Sequence, residues 1–158
     1  MSQHQILWSE LEQTFNHDIH ATSQLLELLQ QERAALEDRQ YDQFQQLLAH
    51  KQQLLTELET HALARQQLLQ KAGFNDESST LEAADHQAPQ VAKAWRQLRE
   101  EWIHCQQLNE VNDRIAKRTH IVVGQMLDLL RGKTTQDELY TSKGNTSNAA
   151  SGRTITNA

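Results

Sequence analysis

The sequence predicts an all-α protein: an antiparallel helical hairpin and a long third helix, together an elongated three-helix coiled-coil-like bundle, followed by a disordered C-terminal tail. Three observations predict it. Apolar residues recur at three- and four-residue steps over three long stretches, the spacing that lines one face of a helix. Only five glycines and one proline occur in 158 residues, so little interrupts those stretches. After Gly132 the chain turns into KTTQDELYTSKGNTSNAASGRTITNA, which offers almost nothing to bury. The hydrophobic share of 37% is too small for a thick core and suits long helices that each bury a stripe. The helical domain is accordingly placed at residues 1–132, with helices at about 5–37, 41–72 and 88–131, and the flexible tail at 133–158.

The first helix is carried by Trp8, Leu11, Phe15, Ile19, Thr22, Leu25, Leu26, Leu29 and Leu36, with Gln, Glu and His on the other face. EDRQ at 37–40 interrupts that pattern without a strong breaker, so one continuous helix stands as the alternative at this point. The second helix rests on Tyr41, Phe44, Leu47, Leu48, Leu54, Leu55, Leu58, Leu68 and Leu69. Its end is well signed: Gly73 suits the left-handed position after a helix, and Phe74 can then pack on Leu69 as the Schellman motif requires. Residues 74–87 (FNDESSTLEAADHQ) read as an acidic, polar loop with one short helical turn, where Ser79 and Glu82 have capping-box spacing. Pro89 suits the first turn of the third helix, whose period runs on to about Leu130 and spans roughly 60 Å if helical throughout.

A heptad laid on the third helix places Trp95, Leu98, Trp102, Cys105, Asn109, Asn112, Ala116, Thr119, Val123, Met126 and Leu130 on the seam, with Leu108, Ile115, Val122 and Leu129 beside it. Asn109 and Asn112 thus fall on consecutive seam positions. A buried amide without partners costs on the order of 1–3 kcal/mol, so two together imply an organised polar layer. Two readings stand: a register device, the better attested use of such residues, or bonds to a neighbouring connection or a bound partner. On the second helix Lys51 and Arg65 flank Leu58 at seven-residue steps inside the apolar face. The expectation for both is an apolar stem laid on the surface with its charged head in water. A pairing of Lys51 with Glu32 across the hairpin is the alternative.

Several function classes find no support. The net charge of −6 argues against nucleic acid, which favours concentrated Lys and Arg. The basic residues of the third helix, Arg96, Arg99, Arg114, Lys117, Arg118 and Arg131, interleave with Glu100, Glu101, Glu110, Asp113 and Asp128 as a solvated face. The longest aliphatic run is Ile121-Val122-Val123, too short to enter a membrane. The N-terminus lacks a basic region followed by an apolar stretch, so no signal peptide is expected. The lone Cys105 excludes an internal disulfide and fits a reducing cytosol; a cytoplasmic location is expected. His17 and His20 could share a helix face near His4, but no carboxylate completes a recognised metal pattern such as H-E-x-x-H, and surface histidines are expected. Trp95 and Trp102, at heptad spacing, read as core rather than as a ligand platform. Without a phosphate loop, nucleophile elbow or Cys–His pairing, no catalytic residue, metal or cofactor is assigned.

The order of features resembles a known family. ERAAL (32–36), KQQLLTEL (51–58), LLQKAGF (68–74), the Trp-bearing helix with CQQLNEVN (105–112) and the tail LYTSKG (139–144) are together similar to the FlgN-type flagellar export chaperones over nearly the whole chain. The most specific elements are the N-x-x-N pair, Asn109 and Asn112, and the tail Tyr-x-x-x-Gly, Tyr140 and Gly144. This chain has Asp113 where the family often has Gly. The resemblance implies a helical cytoplasmic chaperone for type III flagellar export. It would keep the terminal helices of two hook-associated proteins of the hook–filament junction (FlgK/FlgL type) soluble and deliver them to the export gate. It also implies no cofactor, nucleotide hydrolysis by a separate export ATPase complex, client binding through the C-terminal part, and docking of Tyr140, with Gly144, on the cytoplasmic domain of the gate.

The residues give that mechanism a place to act. THIVVGQMLDLLRG at 119–132 is the most apolar part of the third helix. Ile121, Val122, Val123, Met126, Leu127, Leu129 and Leu130 are the candidate client contacts, with Met126 the adaptable one. Val123 and Leu130, on the seam, could equally finish the bundle core, whereas Ile121 and Leu127 lie off it. Gly124 costs about 1 kcal/mol against Ala within a helix and predicts an end that bends or frays. A structural coiled-coil adaptor that homodimerises through the third helix is the alternative function. On either reading Asn109 and Asn112 hold the helix that presents the site and are not the site.

Overall fold

A computed structural model describes residues 2–132, and among them are four helices and no strand: α1 Gln3–Glu37, α2 Tyr41–Lys71, α3 Glu77–Gln87 and α4 Pro89–Leu130. The all-α reading holds, and the ends of the helices explain how. Ser2 caps α1 through a capping box: its Oγ accepts from the Gln5 amide at 3.3 Å, while its own amide donates to Gln5 Oε1 at 2.9 Å. α2 ends as the Schellman pattern requires. Gly73 takes φ 91°, its amide donates to the Gln70 carbonyl at 3.0 Å, and the Phe74 amide donates to the Leu69 carbonyl at 2.8 Å. Phe74 then packs on the ring of Trp8, with centroids 5.5 Å apart.

The break between α1 and α2 is built the same way with an unexpected residue. Arg39 adopts φ 57°, and the Gln40 amide donates to the Ala35 carbonyl at 2.8 Å. The motif is the one Gly73 makes, but an arginine occupies the position that glycine fills at no steric cost. That is why EDRQ shows no breaker in sequence and still ends the helix.

Residues 74–87 differ from expectation. They hold a helix of 11 residues rather than one turn, and its N-cap is Asp76, whose carboxylate accepts from the Ser79 amide at 2.9 Å. Ser79 is therefore the third helical residue and not the cap, so its spacing to Glu82 was incidental. Aspartate is as good a cap as serine. α3 buries Thr80 and Ala84, is tied to α1 by the Trp8 Nε1 donor to Gln87 Oε1 at 3.1 Å, and ends at Ala88, just before Pro89 opens α4.

The chain divides into two compact units, Met1–Asp113 and Arg114–Ala158, with the boundary inside the span of α4. In the first unit, apolar layers alternate with charged ones. Leu7, Trp8, Leu11 and Phe15 pack with Ala84, Val91, Ala92 and Ala94. Ala21, Leu25 and Leu29 pack with Leu58 and Cys105, and Leu28 and Ala35 pack with Leu47. Between these layers sit Asp18 and Glu32, which are 0% and 1% exposed.

Those acids reveal the register. Asp18 pairs with Arg65, and Glu32 pairs with Lys51 at 3.0 Å. Each pair of positions is fourteen residues apart on its helix, in opposite order along α1 and α2, so one antiparallel register serves both. α4 runs parallel to α1. The Cys105 thiol meets the Thr22 carbonyl, and seven residues on along both helices Asn112 Nδ2 donates to the Leu29 carbonyl at 2.9 Å. In the second unit the described residues are the last part of α4, where Thr119 Oγ1 donates to the Ile115 carbonyl and Gly132, at φ 86°, turns the chain out of the helix.

Candidate functional site

The charged layers correct the reading of Lys51 and Arg65. Neither head extends into the solvent: the side chains are 7% exposed at Lys51 and 11% at Arg65. Both residues are buried, and each turns its cation inward to an acid of α1. Leaving either acid alone would strand a buried charge, whereas a fully bonded pair offsets most of that cost. The anticipated alternative, Lys51 with Glu32, is the arrangement present.

Around that pair the two asparagines complete a network. Lys51 Nζ donates to Asn109 Oδ1 at 2.9 Å and to Glu32 Oε1 at 3.1 Å. Asn112, 1% exposed, spends its amide donors on the Leu29 carbonyl and, more weakly at 3.4 Å, on Glu32 Oε1. One layer thus joins α1, α2 and α4, each contributing a polar group that only the correct register satisfies. Asp18 anchors the second layer: Oδ2 accepts from Arg65 and Oδ1 meets His61 Nδ1 at 2.6 Å. The Arg65 guanidinium also lies 4.6 Å above the Phe15 ring. Sequence reading missed this second layer. Its signal was present as Asp18-Leu25-Glu32 on α1 and Lys51-Leu58-Arg65 on α2, two heptad rows of opposite sign.

Trp95 and Trp102, expected in the core, are only half-buried. Trp95 stacks on Phe15 with centroids 5.2 Å apart, and both tryptophans, with Arg65, Leu69 and Phe74, line an open groove of about 770 Å³. Cys105 is 2% exposed, and burial, followed by the nearby Glu101 carboxylate, pushes its thiol up to about 11. It is a packing residue with little thiolate at neutral pH. Outside the core, Arg96 holds Asp85 in a bidentate pair at 2.7 Å, and that guanidinium keeps the Asp85 carboxyl below its usual range.

The candidate contacts of the second unit present the opposite surface. Ile121, Val122, Val123, Met126, Leu127, Leu129 and Leu130 are all exposed, from 44% at Val123 to 85% at Leu130. Val123 and Leu130 therefore do not finish a core. At about 100° per residue the seven side chains sweep roughly two-thirds of the helix circumference, well beyond the single stripe that a bundle helix buries. Apolar surface gathered in this way is a candidate interaction surface. Gly124 does not interrupt α4, which runs through it to Leu130. Tyr140 and Gly144 lie outside the described residues, as does the rest of 133–158.

No helix among the described residues is long and apolar enough to cross a membrane. His17, which the sequence pairs with His20, instead meets α2: its Nε2 is 2.7 Å from Glu57 Oε1, and its ring lies against that of His61.

Comparison with known proteins gives two findings. Residues 1–148 match the family described as FlgN protein. Among solved structures, the chain is similar to a flagella synthesis protein FlgN from Pseudomonas aeruginosa, at 35% identity and a TM-score of 0.61, over 75% of this chain and 93% of that one. No curated protein matches this chain.

Proposed function

Because the chain belongs to the FlgN family, we propose that it serves flagellum assembly as a cytoplasmic chaperone of type III export, acting by binding and not by catalysis. Its clients are the C-terminal helices of hook-associated proteins. Its client surface is the end of α4, from Ile121 to Leu130, and the observation that carries the reading is the exposure of seven apolar side chains within ten residues. An aggregation-prone amphipathic helix is kept soluble by covering its apolar face, and an exposed apolar helix of matching length supplies the cover. Full burial of one such side chain contributes about 1.5–3 kcal/mol, and the cost of association is subtracted from the sum, so several of the seven are covered together to hold a client reversibly. On this reading residues 133–158 form the tail beyond the client surface, and Tyr140 with Gly144 docks on the export gate, where a separate ATPase complex acts. Asn109 and Asn112 set the register of the helices of the first unit.

The test is titration of the full chain with the C-terminal helical segment of a hook-associated protein. Binding is expected, and Ile121→Ser with Leu127→Ser should weaken it by more than about tenfold, the factor that 1.4 kcal/mol supplies. Tyr140→Ala should leave that affinity unchanged and impair export in cells. Equal affinity in the double serine variant would remove the site assignment. A tight homodimer in sedimentation that the same serines dissolve, with no client binding, would favour the adaptor instead.

A further inference from the structure

His17 on α1 and Glu57 and His61 on α2 bring three potential metal-ligand atoms, one from each side chain, within 4.8 Å of one another. We propose that these residues form a binding site for a divalent transition-metal ion, zinc by the chemistry of the donors, fastened across the α1–α2 hairpin. Glu57 and His61 are four residues apart on one helix and so lie on one face a turn apart. That is the spacing by which a helix offers two ligands to one ion. His17 comes from the other helix: its Nε2 is 2.7 Å from Glu57 Oε1, and its ring meets that of His61 edge-on at 5.1 Å between centroids.

The environment of His61 prepares it as a ligand. Its Nδ1 is 2.6 Å from Oδ1 of Asp18, a carboxylate that is fully buried and already accepts from Arg65 on its other oxygen. A carboxylate held by an arginine accepts hydrogen bonds, so Nδ1 carries the proton and the Nε2 lone pair is left for a metal. This is the carboxylate–histidine pairing that orients metal-binding imidazoles and raises their basicity. Two imidazoles and one carboxylate match the three protein ligands of open zinc sites, with a fourth position for water. A single carboxylate is too few oxygens for calcium, and imidazole donors suit zinc and its transition-metal neighbours rather than magnesium.

The fit requires the two exposed ligands to adjust around the fixed one. Bonds of about 2.0–2.2 Å set neighbouring ligand atoms of a tetrahedron roughly 3.3–3.5 Å apart, so the 2.7 Å His17–Glu57 contact opens when an ion enters. The His17 and Glu57 side chains are 54% and 42% exposed and can turn without repacking, while His61 stays fixed by Asp18. His17 and Glu57 are 40 residues apart in sequence. The full ligand set therefore exists only when the hairpin is folded, and the ion stabilises the folded state by mass action.

Zinc chloride titrated into the EDTA-treated full chain at pH 7.5 should bind one ion per chain and raise the thermal unfolding midpoint. Cobalt should give the visible absorption of a tetrahedral site. His17→Ala and Glu57→Gln should each weaken zinc by more than about tenfold, since even supporting partners of ligands are worth about 10–100-fold. His20→Ala, which removes an exposed histidine of the same helix, should change nothing. Melting curves without metal verify that each variant folds. The proposal is overturned if no saturable site appears, or if the His17 and Glu57 variants bind zinc as well as His20→Ala does. In either case the four side chains are ion pairs only.

Discussion

One heptad runs along α4, yet the residues on either side of Asp113 use it in opposite ways. Before that point a polar amide is hidden: Asn112 is 1% exposed and bonded into a layer with Leu29 and Glu32. After it the largest apolar residues are displayed, with Met126 at 60%, Leu129 at 62% and Leu130 at 85% exposure. The contrast reverses the usual sorting of polar and apolar groups. Periodicity states which residues share a face. It does not state whether the face is covered, nor whether its polar members are partnered. Those outcomes depend on which atoms of another helix arrive opposite, and in the first unit the arriving atoms are charges of opposite sign in matching register.

The largest effect should come from breaking the buried side of that contrast. Glu32→Ala leaves Lys51 buried and without its counter-ion, and loss of one partner of a buried pair costs about 3–5 kcal/mol. Urea denaturation should show a fall of that size. Replacing both residues together, Glu32→Leu with Lys51→Met, should recover most of the loss, because no charge is then left alone. A double variant as unstable as Glu32→Ala would mean that the pair itself, rather than the avoidance of a stranded charge, supplies the stability.

A smaller effect is expected at the hairpin turn. Arg39 sits at φ 57°, a conformation that costs an ordinary residue roughly 1–2 kcal/mol against the right-handed one. Arg39→Gly relieves that cost but gives the unfolded chain more freedom, so a net gain of about 0.5–1 kcal/mol is expected in the same denaturation measurement. A loss would show that the arginine makes a compensating contact.

The parts legible in sequence are those that a short window determines. The Schellman end at Gly73 and Phe74, the start of α4 at Pro89 and its run to Leu130 each depend on residues within one or two turns. The parts that were not legible depend on residues far apart. Arg65 meets Asp18 across 47 positions and Lys51 meets Glu32 across 19, so two basic heads read as solvated when considered on their own helix. The cluster of His17, Glu57 and His61 likewise shows no metal pattern in either helix alone. α3 was underestimated for a different reason: its apolar content is low, with only Thr80 and Ala84 buried, and periodicity cannot report a helix that contributes so little to the core.

The smallest effect on stability should come from the exposed side of the contrast, and there a null result is the informative one. Ile121 and Leu127 are 56% and 45% exposed. Replacing both by serine removes apolar surface that is already largely in water, so the denaturation midpoint of the first unit should move by no more than surface substitutions do, within about 0.5 kcal/mol. Serine is a somewhat poorer helix former than leucine, which sets the sign of any residual change as a slight loss. The same two substitutions are expected to weaken client binding by more than tenfold, so the two measurements should part company. A drop of several kcal/mol would mean that these side chains support the fold. The apolar end of α4 would then be part of a core, and the difference between the two stretches of the helix would be one of degree.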